Sequence, residues 1–339
     1  PTFPVKEYKE IGQYFYLEAT DELLPNGHVH VIGHGEMIML GGYSYLGLIG
    51  HPKIDAAAHA AIDQYGTGTY GVRLLAGSLK IHNELEERIA EFKQADAAIS
   101  MSSGYVTNLA TISSLLRKGD TVICDKLNHA SIVDGCMLSF AKFVRFRHND
   151  MDHLERRLRE ANSDGRVLVI ADAVFSMDGD IIDLPEMSRL CKQYGAYLMI
   201  DEAHSIGVIG KTGHGIEEHF DLPSDTVDIK MGTLSKTIPS AGGYVAGNAE
   251  LISFLKHEAR AFIYSAAIPP GSAGAAKAAF DVIEEEPWRV EKIQTNYKRF
   301  ADKLKAVGYN LLFTETAIVP VAVSYTHLTL PTTIKPWCG

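Results

Sequence analysis

Basic residues are in short supply in this chain: 32 lysines and arginines stand against 42 aspartates and glutamates, a formal net charge of −10 with histidine neutral. Such a deficit leaves no broad positive surface, which disfavours nucleic acid and anionic membranes as partners while leaving room for a local anion pocket. Cysteine is scarce too. Cys124, Cys136, Cys191 and Cys338 show neither CxxC spacing nor a disulfide framework, which fits a reducing compartment and leads to the expectation of a cytoplasmic protein. No apolar run reaches the length of a membrane span, and the opening Pro1-Thr-Phe-Pro-Val5 lacks the basic-then-apolar layout of a signal peptide. An initiator Met is also missing, so the start reads as trimmed. Internal repeats and low-complexity tracts are absent, and 46% hydrophobic with 22% charged residues describes a packed globular chain rather than a disordered one.

What is present is an alternation. At 339 residues the chain is long enough for a large core plus a subordinate domain. Apolar runs at Thr121–Cys124, Lys142–Phe146, Arg166–Ala171 and Ala196–Ile200 read as strands, and Asp152–Leu158 and Leu184–Cys191 between them read as helices. That rhythm predicts an α/β fold with a mostly parallel central sheet covered by helices on both faces. Upstream, His51–Ile62, with proline near its start, and Glu84–Phe92 read as packing helices, and a long helix from about Pro287 to Val307 leads towards a smaller terminal domain. Ligands of such sheets bind beyond the carboxyl ends of the strands. Ser176, Asp201 and His204 each fall just after an apolar strand.

Lys236 ends the run Met231-Gly-Thr-Leu-Ser-Lys236 and follows the strand-like Tyr197–Asp201 at the distance expected of a pyridoxal phosphate site. A lysine amine can condense with an aldehyde, and an aspartate closing a buried strand can keep a pyridinium nitrogen protonated. Taken alone, Lys236 reads more readily as a solvated loop lysine, and the case rests on its company. Three further features accompany it. Ser102-Ser103-Gly104-Tyr105 precedes a helix-like stretch whose first N–H groups can cradle a phosphate, although a serine there also serves as a plain N-cap. His129, in Asn128-His-Ala-Ser131, can lay its ring over a planar cofactor or be a structural histidine. Ser176 and His204 can both reach a phenolic oxygen, while a turn serine is the plainer alternative for the former. The Asp201-Glu-Ala-His204 string also matches a helicase box, but no Gly-x-x-x-x-Gly-Lys-Ser/Thr loop accompanies it.

Together Gly66-Thr-Gly68, Gly71-Val-Arg-Leu-Leu-Ala-Gly77, His82-Asn-Glu-Leu-Glu86, Asn128-His-Ala-Ser131, Ser176-Met-Asp-Gly-Asp180, Asp201-Glu-Ala-His-Ser205 and Gly232-Thr-Leu-Ser-Lys236 resemble, in order and spacing, the α-oxoamine synthases. The resemblance runs from about Tyr14 to Val323 and implies a fold-type I transferase that uses pyridoxal 5'-phosphate. It implies Lys236 as the Schiff-base lysine, Asp201 as partner of the pyridine nitrogen, and His129 as the group stacked on the ring. Ser176 and His204 would take the phenolic oxygen. Ser103, Gly104, Tyr105 and Thr233 fall to the phosphate, with Tyr264-Ser265-Ala266 offered to it from a second subunit of a homodimer. The reaction implied condenses an amino acid with an acyl thioester, on CoA or an acyl-carrier protein, and releases carbon dioxide to leave an α-amino ketone. Another fold-type I activity, an aminotransferase or aldolase, and a degenerate partner subunit are the alternatives.

Expected domains are an N-terminal segment over 1–50, a large cofactor-binding domain over 51–286, the start of a small domain over 287–323, and an atypical tail over 324–339. Tyr43-Ser-Tyr-Leu-Gly-Leu48 carries tyrosine where many relatives carry asparagine. The tail resembles nothing in the family and reads as an artefact in place of the small domain, so the chain as written is expected to bind cofactor with weak or absent turnover. His28-Val-His-Val-Ile-Gly-His34 puts histidines on one strand face, but with no acidic or cysteine ligand alongside it reads as a hairpin of surface histidines, and no metal is expected. Trp288 is expected to pack, and Arg156-Arg-Leu-Arg159 to be a solvated helix face.

Overall fold

The computed structural model describes Lys6, Glu10 and residues 17–161 and 165–321. The atypical tail, with Cys338, lies outside these residues. The described residues up to Tyr43 fall in one compact unit and those from Ser44 onward in a second.

In the first unit, β1 (Thr20–Leu23), β2 (His28–Val31) and β3 (Gly35–Ile38) form an antiparallel meander. Along β2 the histidines alternate with buried Val29 and Val31, as a period of two requires. The expectation that no acidic group stands beside these histidines is corrected. His28 Nδ1 lies 2.7 Å from Glu36 Oε1 and His30 Nδ1 lies 2.6 Å from Asp21 Oδ1. Strand pairing supplies these carboxylates from residues eight and nine positions away in the chain. Among the described residues no three potential ligands gather at one point.

The second unit is built on β4 (Ala97–Met101), β5 (Thr121–Asp125), β6 (Lys142–Phe146), β7 (Val167–Asp172), β8 (Tyr197–Asp201), β9 (Ile229–Thr233) and β10 (Gly243–Gly247). These lie in the order β4-β10-β9-β8-β7-β5-β6. Only β10 runs antiparallel to its neighbours, so the sheet is mostly parallel. Helices α1 (Pro52–Tyr65), α2 (Lys80–Phe92), α3 (Gly104–Leu115), α4 (Ala130–Leu138), α5 (Met151–Arg159) and α6 (Leu184–Tyr194) cover it. They are followed by α7 (Ile216–His219), α8 (Ala249–Glu258), α9 (Arg260–Ile263), α10 (Pro270–Glu285) and α11 (Trp288–Ala306). Strand β5 is buried at every position because helices leave neither face to water.

One core joins α1, α2 and α10 to the β4 and β10 side. Gly274 permits the α10–α1 crossing, since a Cβ there would stand 2.7 Å from the Ala57 carbonyl oxygen. A second core lies under α5 and α6, and a third between β4, β5, α3 and α4. Where α11 begins, Val290 is buried but Trp288 is 49% exposed. Trp288 packs at the surface, with the Arg289 guanidinium 4.6 Å and the Lys292 amine 5.6 Å from the indole ring. Cys124, Cys136 and Cys191 are free and buried.

Candidate active site

A cavity of about 260 Å³ opens at the carboxyl ends of β7, β8 and β9, beside the start of α3. Its floor follows from register. Parallel pairing sets Asp172 at the end of β7 against Asp201 at the end of β8, so two carboxylates reach the cavity side by side. Asp201 Oδ1 accepts from the Ala203 N–H at 2.9 Å and Oδ2 from the Asn108 amide at 2.8 Å. Asp172 Oδ2 accepts the His129 N–H at 2.9 Å. Burial, then the neighbouring Asp201 charge, hold the Asp172 carboxyl well above the usual carboxylate range.

The anion end is the helix start. Ser103 caps α3, its hydroxyl accepting from the Val106 N–H at 3.1 Å. Gly104 and Tyr105 occupy the first turn, where N–H groups have no intrahelical partner, and both line the cavity. A Cβ at Gly104 would meet Thr233 Oγ1 at 3.0 Å and Thr233 Cβ at 3.2 Å, so glycine is what brings the helix start against β9. Tyr105 is hydrogen-bonded to Asp134 and presents its ring edge-on to His129, with centroids 6.2 Å apart.

His129 caps α4. Its Nδ1 lies 2.7 Å from Ser131 Oγ and accepts from the Ser131 N–H, leaving the ring at the cavity wall. Burial lowers the His129 pKa, with the Lys236 charge acting in the same direction and Asp201 opposing. On the other side, Lys236 Nζ lies 2.8 Å from His204 Nε2, and the Tyr45 hydroxyl lies 2.7 Å from His204 Nδ1. Burial lowers the Lys236 pKa against the pull of Asp201 and Asp172. Burial, then the Lys236 and His129 charges, take His204 well below the ordinary histidine value.

Nine of the ten residues singled out in the sequence therefore line one cavity: Ser103, Gly104, Tyr105, His129, Ser176, Asp201, His204, Thr233 and Lys236. Ser265 does not. It stands in a separate small pocket with Arg73, Ser102 and Phe262. Asn108 and Asp172 were not singled out in the sequence, and Ser131 and Tyr45 were quoted in motifs without a role. Asp172 had a signal, an acidic residue closing an apolar strand like Asp201, whereas Asn108 lies inside a helix with no motif of its own. The Gly71–Gly77 and His82–Glu86 motifs are structural here. Arg73 Nη1 is 2.7 Å from Glu86 Oε1, which also accepts from the Ser100 N–H and hydroxyl, and His82 Nε2 is 2.8 Å from the Ile268 carbonyl oxygen.

The donor set matches pyridoxal phosphate group by group. A helix start suits a phosphate, a buried carboxylate with two fixed donors suits a protonated ring nitrogen, and a partly desolvated lysine amine suits an aldehyde. Fold and site together define a fold-type I pyridoxal-phosphate-dependent transferase. The aminotransferase class I and II model matches residues 35–327, and the chain belongs to that family. The 8-amino-7-oxononanoate synthase of Thermoanaerobacter pseudethanolicus is 42% identical over 320 residues, 94% of this chain and 80% of that protein. Serine palmitoyltransferase of Sphingobacterium spiritivorum is 40% identical over 319 residues, 94% of this chain and 79% of that protein. Among solved structures, serine palmitoyltransferase from S. paucimobilis with bound PLP–myriocin aldimine superposes with a TM-score of 0.88 at 33% identity, covering 93% of this chain and 79% of that one. The chain is thus of the α-oxoamine synthase type within the broader family.

Proposed function

We propose that this protein condenses an amino acid with an acyl thioester, releasing carbon dioxide and a free thiol and leaving an α-amino ketone. The observation that carries the reading is the meeting of Lys236, His204, Asp201 and His129 in one cavity beside the start of α3. Its relatives of both names support the same reaction class.

Bound pyridoxal phosphate supplies an electron-withdrawing ring that takes up the electrons left on the amino-acid α carbon. Lys236 is assigned to the aldehyde, Asp201 to the ring-nitrogen proton and His129 to the ring face. Ser103, Gly104, Tyr105 and Thr233 are assigned to the phosphate, and Ser176 and His204 to the phenolic oxygen. Lys236 is suited to accept the α proton, because burial raises the share of neutral amine near pH 7. Asn108 keeps Asp201 aimed and hydrogen-bonded. Departure of the thiol and carbon dioxide draws the sequence forward.

The functional form is read as a homodimer in which Ser265 serves the partner's phosphate. Exposed Tyr70, Leu74, Leu75 and Tyr264 support this, since large apolar groups at the surface mark contact faces. A cytoplasmic setting is supported by the free cysteines. Among the described residues no helix is long and apolar enough to cross a membrane. Incubating the protein with pyridoxal phosphate, an amino-acid panel and several acyl-CoAs is expected to release carbon dioxide and thiol in equal amounts. Turnover without thioester, yielding a keto acid, would instead indicate transamination.

A further inference from the structure

Tyr45 stands in the Tyr43–Leu48 motif but was given no role there, yet its hydroxyl is 2.7 Å from His204 Nδ1, and the opposite ring nitrogen is 2.8 Å from Lys236 Nζ. The three groups come from chain positions 45, 204 and 236, and only the fold aligns them. We propose that Tyr45 is a positioning residue for His204: its phenol holds Nδ1 and thereby keeps Nε2 directed at the Lys236 amine whether or not that amine carries a proton.

Burial together with the Lys236 and His129 charges keeps the His204 imidazole neutral, so it carries one proton on one of its two nitrogens. When the lysine is an ammonium it donates to Nε2, the imidazole proton sits on Nδ1, and Nδ1–H donates to the phenol oxygen. When the lysine is a neutral amine it accepts from Nε2–H, and the phenol O–H donates to Nδ1. The two lines differ by one proton on Lys236 and by the tautomer of His204. A phenol serves both, being donor and acceptor at one atom, so the ring has no reason to swing as the lysine cycles. A phenyl ring serves neither and leaves a buried ring nitrogen without that partner, a loss of about 1–3 kcal/mol in general.

Tyr45 is itself well held. The next residue, Leu46, is buried, its carbonyl accepts from Arg289 Nη1 at 3.0 Å, and Leu48 is fully enclosed. The Tyr45 ring meets the imidazole edge-on with centroids 6.0 Å apart, which fixes the ring plane as well as the nitrogen. Titratable groups acting on the imidazole are Lys236 and His129, while Asp201 and Asp172 act in turn on Lys236.

This rests on Lys236 as the reactive amine, and its test does not require turnover. Nitrogen-15 histidine labelling of the full chain, with and without pyridoxal phosphate, reports the His204 tautomer directly. In the parent, each state is expected to show one protonated and one unprotonated ring nitrogen. In Tyr45→Phe the two His204 nitrogens are expected to move towards averaged shifts, with an unchanged circular dichroism spectrum. Should that variant fail to fold, 3-fluorotyrosine at position 45 preserves shape, alters only phenol acidity, and is expected to shift Nδ1 alone. In the loaded enzyme Tyr45→Phe is expected to lower kcat roughly three- to tenfold, the loss of one neutral hydrogen bond, with KM changed less than about twofold. An unchanged His204 spectrum in folded Tyr45→Phe, or an unmoved Nδ1 with 3-fluorotyrosine, overturns the proposal. Absence of amino ketone with the expected spectra would instead count against the proposed reaction alone.

Discussion

Asp172 and Asp201 close adjacent strands, but their surroundings divide the labour between them. Asp201 receives an amide and a backbone N–H, whereas Asp172 receives one backbone N–H and is burdened by burial and by its neighbour's charge. Burial, then the neighbouring Asp201 charge, make Asp172 the carboxyl held well above the usual carboxylate range. Its two fixed donors suit Asp201 to the proposed pairing with a ring nitrogen. Replacing Asp201 by Asn is expected to preserve cofactor capture while lowering kcat by roughly 10²–10⁴-fold. Asn108→Ala, which withdraws one donor from Asp201, should cost roughly tenfold with capture again intact. Absorbance titration with pyridoxal phosphate beside steady-state rates checks both, and an Asn108→Ala enzyme at full rate would dismiss that residue. Lys236, Asp201 and His129 were legible in the sequence because each stands in a motif at a strand end. Asn108 was not, since nothing beside it in the chain hints at Asp201, and the motif around Tyr45 gave no sign of its pairing with His204.

At the scale of elements, the strands named from apolar runs all formed, because parallel strands buried on both faces read as continuous hydrophobic text. Strands β4, β9 and β10, Ala97–Met101, Ile229–Thr233 and Gly243–Gly247, escaped notice. Alanine and glycine are weak strand formers, and their place in β4 and β10 is set by helices pressing close on the sheet. The loops carrying His129 and Ser176 are joined by a third element. His148, just past β6, bonds Asp125 Oδ1 at 3.0 Å and Asp180 Oδ2 at 2.9 Å, with Phe175 edge-on at 4.4 Å. Burial alone would lower its pKa, but the hydrogen bonds and charges of the two aspartates outweigh it and raise it to about 10. A folded-state value above the ordinary one means the stabilisation is complete below about 6.5 and drains away as pH rises through about 10. Thermal melts of parent and His148→Gln from pH 6 to 10.5 are expected to differ by several degrees at low pH and to converge at the top. A gap independent of pH would show that the brace is not charged.

The whole molecule places one cavity at the strand ends of a seven-stranded sheet, with Ser265 in a different pocket. That separation has a natural account if Ser265 serves a neighbouring copy, as the homodimer reading holds. Sedimentation at micromolar concentration is then expected to give twice the 37.1 kDa chain mass, and a monomer with undiminished cofactor affinity would remove Ser265 from the phosphate site. The fold class was legible from the strand–helix alternation, while the pairing of Asp172 with Asp201 emerged only once the parallel register was fixed.

Chemical capture of the cofactor reaches the centre of this account most directly. The full chain, loaded with pyridoxal phosphate, reduced with borohydride and digested, is expected to yield a single phosphopyridoxyl-bearing peptide, with the modification on Lys236. Modification of another lysine, or none at all, would contradict the account.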